Sequence, residues 1–386
     1  MFTRKMTSAT LALTAAAGLA AGVAQLPQAA AAPDAPLGSV GIPGPAYPGV
    51  PVPQDSTTGN GPGASDFVDA FVQSFSNPRL APVGADDWGC VPSAEHPEPV
   101  VLVHGTWENA YDNWSGLAPA LKDEGYCVFT PNFGVADPPT KGGAGSLLPN
   151  AFATKDIAES AGEISDYVDA VLGATGAAKV DLVGHSQGGL LARQYLAFNG
   201  GADKVDTTVT LGATNHGTTL SGIGNLDRFI ARLGLNLDPV LDYVVGESGM
   251  QQVYGSPLLN GLNAGGDTVP GGKYTVIGTK YDEVTTPYSS TFLTAGPDAT
   301  VDNITVQDGC DIDHSDHISM VYSPRVIDLV KNALTPGSVE SPRCTPNSPV
   351  MGAGTEEPTE GLSGPFGWIS ENAQPLPDQL IPGSSL

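Results

Sequence analysis

Short apolar runs alternate with amphipathic stretches through the middle of this chain. Val100-Val101-Leu102-Val103 is continuous, β-branched and too short for a buried helix, so it predicts a strand. Residues 114–122 carry helical spacing, Tyr126 to Thr130 predicts a second strand, and residues 156–172 predict a long helix. Ile157, Ile164, Tyr167, Val168, Val171 and Leu172 share one face of that helix. Further strands are predicted at 180–183, 205–211, 274–278 and 304–306, with a helix from Leu190 to Leu196 after the first of these. Unbroken apolar strands between amphipathic helices mean a mostly parallel sheet covered on both faces, an α/β fold. In such sheets ligands bind beyond the carboxyl ends of the strands.

The pattern changes in three places. Pro33 to Pro62 is dense in Pro and Gly and has no period, so residues 32–65 predict an extended arm. Ordered chain is expected from Asp66, where Phe67, Val68, Phe71, Val72 and Phe75 recur at helical spacing. Between residues 213 and 272 the alternation breaks. Leu226, Phe229, Ile230 and Leu233 form one apolar stripe, and Leu237, Val240, Leu241, Val244 and Val245 another. This insertion predicts a cap or lid over the site, although periodicity alone fits plain core helices equally well. Beyond Leu334 the composition returns to Pro, Gly, Ser, Thr and Glu. Residues 335–386 therefore predict a tail, with little to pack past Asn347 except Phe366, Trp368 and Ile369. The main domain is expected over residues 66–334.

Composition adds the compartment. Arg4 and Lys5 precede an Ala/Leu-rich run over residues 9–24, and Ala29 and Ala31 fit a cleavage site, so residues 1–31 predict a signal peptide. The run is diluted by Thr and Gly and falls short of the ~20 residues of a spanning helix, so an exported, soluble chain without a permanent membrane anchor is expected. Export makes disulfides of the four cysteines. Of the three possible pairings, the one joining sequence neighbours is preferred, Cys90–Cys127 with Cys310–Cys344. The 386 residues carry 41 acidic against 16 basic side chains, a net charge of −25. That balance excludes nucleic acid as a partner and favours a neutral ester over a phosphate-rich substrate.

Candidate chemistry centres on Gly184-His185-Ser186-Gln187-Gly188-Gly189, which follows a predicted strand and opens a predicted helix. A serine on such a strand–turn–helix is a nucleophile elbow, with the helix N-terminus offering free N–H groups to an oxyanion. In the α/β-hydrolase topology the acid and then the histidine follow the serine in the chain. Of the six histidines only His314 and His317 come late enough. His317 is preferred because a helix-like segment begins behind it, with His314 as the alternative. Asp282 sits just past the strand at 274–278 and is the preferred acid, with Glu283 and Asp267 as alternatives. Oxyanion donors are expected from the backbone N–H of Gln187 and from Thr106, in the loop after the first strand, through its N–H and hydroxyl. Trp107 is expected to wall the pocket. No His/Asp spacing demands a metal, and the chemistry needs no cofactor.

Val103-His104-Gly105-Thr106-Trp107, the elbow, Thr214-Asn215-His216-Gly217, Tyr281-Asp282-Glu283-Val284-Thr285-Thr286-Pro287 and Cys310 with Ser315-Asp316-His317 together resemble the secreted bacterial class 2 lipases and esterases. The resemblance spans about residues 66–334. It implies an α/β-hydrolase fold, hydrolysis of carboxylic esters or triacylglycerols, lipid substrate met at an oil–water interface, and Ser186, Asp282 and His317 as the triad. The chain is more loosely similar to lipase B, where a threonine at the position of Thr106 helps to stabilise the oxyanion. His216 belongs to the family signature, but its place before Asp282 argues for a structural role. Two other expectations compete with ester hydrolysis: an acyltransferase on the same fold, and a catalytically idle cell-wall protein, which the Ser, Asp, His set disfavours.

Overall fold

The computed structural model describes residues 59, 61–136, 141–219, 222 and 241–350. The expected signal peptide, most of the arm, the first cap stripe and the tail beyond Val350 lie outside the described residues. Among them, strands β1 (Val100–Val103), β2 (Val128–Phe129), β3 (Val180–His185), β4 (Val205–Leu211), β5 (Lys273–Gly278) and β6 (Thr300–Thr305) form one sheet in the order β2-β1-β3-β4-β5-β6. Every neighbouring pair is parallel. Helices α1 (Phe67–Ser76), α2 (Ala110–Trp114), α3 (Leu117–Asp123), α4 (Ile157–Thr175), α5 (Gln187–Phe198), α6 (Leu241–Gln251), α7 (Pro257–Asn263) and α8 (Pro324–Leu334) surround it.

Both faces of the sheet are covered, and the alternation of side chains along each strand shows how. Val100 and Leu102 of β1, Val183 of β3, Val209 and Leu211 of β4 and Ile277 of β5 pack into one apolar layer with α1, α2, α3 and α8. Val101, Val103, Val180, Leu182 and Val276 point the other way, into the layer of α4, α5 and α7. This two-sided burial is why the strands read as continuous apolar runs rather than alternating ones. Asp156 caps α4 through Glu159 N–H, and Gly176 ends it in the left-handed region.

Several boundaries differ from expectation for local reasons. The helix expected over 114–122 is two helices, α2 and α3, because Asn109 caps an earlier start with Asp112 closing a capping box. β6 starts at Thr300, upstream of the expected 304–306. It is the edge strand, and its mostly exposed Thr-Val-Asp-Asn-Ile-Thr has no apolar run to announce it. Within the expected insertion, Leu259 and Leu262 of α7 pack in the same layer as α5, so that part is core-covering helix. The stretch after Cys344 is not the unpacked tail that composition suggested. Asn347, Ser348 and Val350 are buried. The pairing Cys90–Cys127 and Cys310–Cys344 is present in the structure.

The chain runs β1 to β2 on one side of β1 and then crosses to β3 on the other. The loops following β1 and β3 therefore flank a switch in strand order, where parallel sheets open a crevice for ligands. His104 to Glu108 leave β1 there, and Ser186 leaves β3.

Candidate active site

Ser186 sits between β3 and α5 with φ 52° and ψ −123°, a conformation costing a non-glycine residue about 1–3 kcal/mol. Its N–H is held by the Leu211 carbonyl at 2.9 Å, and its hydroxyl makes no capping bond to α5. The turn is this tight because Gly188 lies against β1. A Cβ on Gly188 would stand 2.1 Å from the Val103 carbonyl oxygen, so no other residue fits. As the first residue of α5, Gln187 has a backbone N–H without an intrahelical acceptor, beside the serine.

His317 and Asp282 come together at the same end of the sheet. His317 Nδ1 lies 3.0 Å from Asp282 Oδ2, with both side chains about 1 % exposed. A carboxylate only accepts, so Nδ1 carries the hydrogen and Nε2 is left with its lone pair. Asp282 Oδ1 is itself fixed by the N–H groups of Val284 and Thr285, at 3.0 and 2.6 Å. Gly212, at φ 53°, runs beneath the pair. A side chain there would meet Asp282 Oδ2, Met320 Sδ and His317 Nδ1 within 3.0–3.2 Å. Burial pulls the His317 pKa down, but the Asp282 charge and hydrogen bond, helped by Glu108 and Asp316, leave it above the ordinary histidine value.

The alternatives weighed from sequence go elsewhere. Asp267 pairs with His216 Nε2 at 3.0 Å, and its carbonyl accepts from Arg193. Glu283 accepts the backbone N–H of His317 at 3.3 Å. The His314 ring packs on Tyr281, centroids 5.0 Å apart.

Thr106 is buried beside the elbow. Its hydroxyl donates to Gln187 Oε1 at 2.5 Å and accepts from Gln252 Nε2 at 2.9 Å. Gln252 Oε1 in turn accepts from Thr214. The Thr106 hydroxyl hydrogen is thus committed to a side chain in the resting arrangement, and it must rotate to reach an oxyanion. Trp107 is 2 % exposed at φ 62°, with its backbone N–H bonded to the Phe152 carbonyl and its indole against Gly145. A cleft of about 590 Å³ opens beyond β2, lined by Arg79, Asp86, Asn132, Phe133, Phe152 and Tyr167 among others, and none of Ser186, Asp282 or His317 lines it.

An α/β hydrolase fold model matches residues 98–231. That match covers β1 through the elbow and β4, with the nucleophile turn in the middle. The chain has the α/β-hydrolase fold. It is 33% identical over 126 residues to a triacylglycerol lipase of Pseudarthrobacter phenanthrenivorans, covering 31% of this chain and 34% of the relative. A triacylglycerol lipase of Burkholderia plantarii is 33% identical over 126 residues as well, 31% of this chain and 30% of the relative. The matched stretch thus spans about a third of the curated relatives' length. Among solved structures, Aspergillus fumigatus lipase B superposes with a TM-score of 0.50 at 19% identity, over 68% of this chain and 57% of that one.

In this α/β-hydrolase-fold chain the loop of His317 is held from several directions. Ser315 accepts at its carbonyl from the Thr279 hydroxyl, and Asp313 Oδ1 accepts the Ser315 N–H. Asp316 Oδ1 accepts from Ser319 N–H at 2.8 Å, and Oδ2 from Val350 N–H at 3.0 Å. The Asn347 carbonyl takes the His314 N–H, while its side chain donates to Ser315 Oγ. Sequence reading missed Asn347 and Val350 because they lie in Pro- and Ser-rich chain. It missed Gln252 because a lone amide after a helix carries no motif. The one available signal was Cys344, whose bond to Cys310 brings that segment to the histidine loop.

Proposed function

We propose that this protein is a secreted serine hydrolase of carboxylic esters, a triacylglycerol lipase or carboxylesterase that works through an acyl-enzyme. The observation that carries the reading is the Asp282–His317 pair at 3.0 Å, at the sheet end where Ser186 sits strained on its elbow. In this reading Ser186 Oγ attacks the ester carbonyl, and His317 Nε2 takes its proton and returns it to the leaving alcohol. Asp282 holds the imidazole in the Nδ1–H tautomer and stabilises the imidazolium that forms. The N–H groups of Gln187 and Thr106 receive the oxyanion, and the Thr106 hydroxyl joins once charge develops. Water then releases the acid by the same steps in reverse order. The relatives' names support the substrate class, and the two disulfides support an oxidising compartment. In this reading the catalytic domain of residues 66–334 is preceded by the signal peptide and arm, and the segment from Cys344 to Val350 packs onto its histidine loop before the tail.

A fluorophosphonate probe tests the nucleophile. Wild type should take one label, mapped to Ser186, and hydrolyse p-nitrophenyl esters. Ser186→Ala should lose the label and about 10⁶ in kcat while keeping its fold. Undiminished turnover in folded Ser186→Ala overturns the reading. Export is tested by N-terminal sequencing of protein from the culture medium, which should begin near Ala32. Retention in the cells with Met1 intact overturns it.

A further inference from the structure

Glu108 lies in the loop between β1 and α2, 4 % exposed, and has no part in the chemistry described above. Its Oε2 accepts from Gly105 N–H at 2.9 Å and Asn113 Nδ2 at 2.8 Å, and faces His185 Nδ1 at 3.1 Å. On the other side of the same ring, His185 Nε2 lies 2.9 Å from the backbone carbonyl of His317. A carbonyl only accepts, so Nε2 carries the hydrogen and donates it. The rings of His185 and His317 stand 4.9 Å apart. With Nε2 as the donor, Nδ1 is left to accept, and Asn113 Nδ2, 2.9 Å from it, donates to that nitrogen as well as to Glu108 Oε2. One buried carboxylate oxygen is therefore tied to the loop of Thr106 through Gly105 and, by way of Asn113 and the ring of His185, to the backbone of His317.

We infer that Glu108 is a positioning residue for ester hydrolysis, tying the Gly105–Thr106 loop to the backbone of His317 through the ring of His185. The inference rests on the serine-hydrolase reading above. Donor and base must be held together because the reaction tolerates little displacement. A 1 Å error in position can cost about 10² in rate. Glu108 spans the gap with one side chain on rigid supports, the end of β1 and the first residues of the elbow.

The charge on Glu108 adds a second effect. Burial pushes its carboxyl up, but His185, then His317 and His104, pull it below the ordinary glutamate value, so it stays ionised. Asp112, on the adjoining helix, is driven well above its usual range by burial and by the charge of Glu108. An ionised Glu108 favours the imidazolium of His317 alongside Asp282 and Asp316. His104, also against this cluster, is held neutral, its pKa lowered by burial to about 4.

The test uses Glu108→Gln and Glu108→Asp in the full chain, with kcat, KM, the pH profile of kcat/KM, melting temperature and fluorophosphonate labelling read on each. Glu108→Gln should lower kcat by up to about 10²-fold at nearly constant KM. It should also move the acid limb of kcat/KM to lower pH, because a negative charge that favoured protonated His317 has gone. Glu108→Asp keeps the charge, so its acid limb should stay in place. Its kcat should still fall, since the shorter side chain does not reach Gly105 and His185 together. If Glu108→Gln does not fold, Glu108→Asp decides alone. Loss of melting temperature with kcat, KM and the acid limb unchanged overturns the inference and leaves Glu108 a packing residue. Wild type that takes no label at Ser186 fails the underlying reading instead, whereas a labelled wild type with unaltered variants fails only this one.

Discussion

Ser186 reaches its position through one run of consecutive residues, from the first residue of β3 to Gly189, whereas His317 is held by stretches that lie far apart in the chain. The elbow needs a strand, a strained residue and glycines that let α5 approach β1, and all of these are neighbours in sequence. The histidine loop is held by Asp282 and Glu283 after β5, by His185 at the elbow, and by Asn347 and Val350 beyond a disulfide. Local encoding makes the nucleophile robust to changes elsewhere. Distributed encoding makes the base sensitive to them. The two halves of the site should therefore fail in different ways.

The largest expected effect separates the two late histidines. His317→Ala should lose on the order of 10⁶ in kcat, as when one member of a mutually dependent set is removed. Asp282→Asn should lose about 10⁴, the consequence of presenting the wrong tautomer. His314→Ala should stay near wild type, since its ring packs on Tyr281 and the backbone N–H by which it joins the loop is kept. A steep loss in His314→Ala with turnover kept in His317→Ala reverses the assignment. On the elbow side, Thr106→Val removes a hydroxyl and keeps the backbone N–H. It should lower kcat by ~10²–10³ with little change in KM. Unchanged kcat with a lower melting temperature would mean that the hydroxyl serves only Gln187 and Gln252.

The two disulfides give a matched pair for the same comparison. Their sequence separations are 37 and 34, so in the chain-entropy model each stabilises the fold by about 4 kcal/mol. Replacing Cys90 and Cys127 by Ser should cost stability without changing the turnover of folded protein. Replacing Cys310 and Cys344 should cost a similar amount and also lower kcat about tenfold, because the segment carrying Asn347 and Val350 is released from the histidine loop. Equal turnover in both double variants would show that the hydrogen bonds hold the loop without the cross-link.

The same contrast explains what could be read from sequence. β1 was legible because two-sided burial gave it a continuous apolar run, and β3, β4 and β5 because their buried positions are held by apolar and β-branched residues. The elbow was legible because a strained serine demands glycines at fixed offsets. β6 was not, since an exposed edge strand such as Thr300 to Thr305 has no apolar constraint. Asp282 and His317 were placed by chain order and by their distance from strand ends. Their supports were not, because Val350 acts through its backbone N–H, which leaves no mark on residue type, while the side chains of Asn347 and Glu108 meet partners that form no sequence motif with them. Glu108 looked like any other of the chain's 41 acidic residues.

The smallest effect concerns charge around the base, and it sets two glutamates against each other. Glu283 touches His317 from the loop side, accepting its N–H, as Glu108 does indirectly from the elbow side. Burial, then the charges of Asp316 and Asp282, drive the Glu283 carboxyl well above the ordinary glutamate value of 4.5. The folded protein therefore holds that proton to higher pH than the unfolded chain does. Such a group contributes stability that is fully present below its unfolded pKa and is lost as pH rises towards the folded one. Glutamine mimics the protonated form and keeps an oxygen for the His317 N–H. Glu283→Gln should thus be more stable than wild type at neutral pH, by about 1.4 kcal/mol for each pKa unit by which the folded value exceeds the unfolded one. The gap between variant and wild type should close as pH falls below about 4, measured by denaturant unfolding across pH. Its acid limb of kcat/KM should stay in place, because no charge has been removed from beside His317. That is the opposite of the shift expected for Glu108→Gln. A Glu283→Gln limb displaced to lower pH, with no gain in stability, would mean that Glu283 is ionised in the folded protein, and that the loop holds the base by charge as the elbow does.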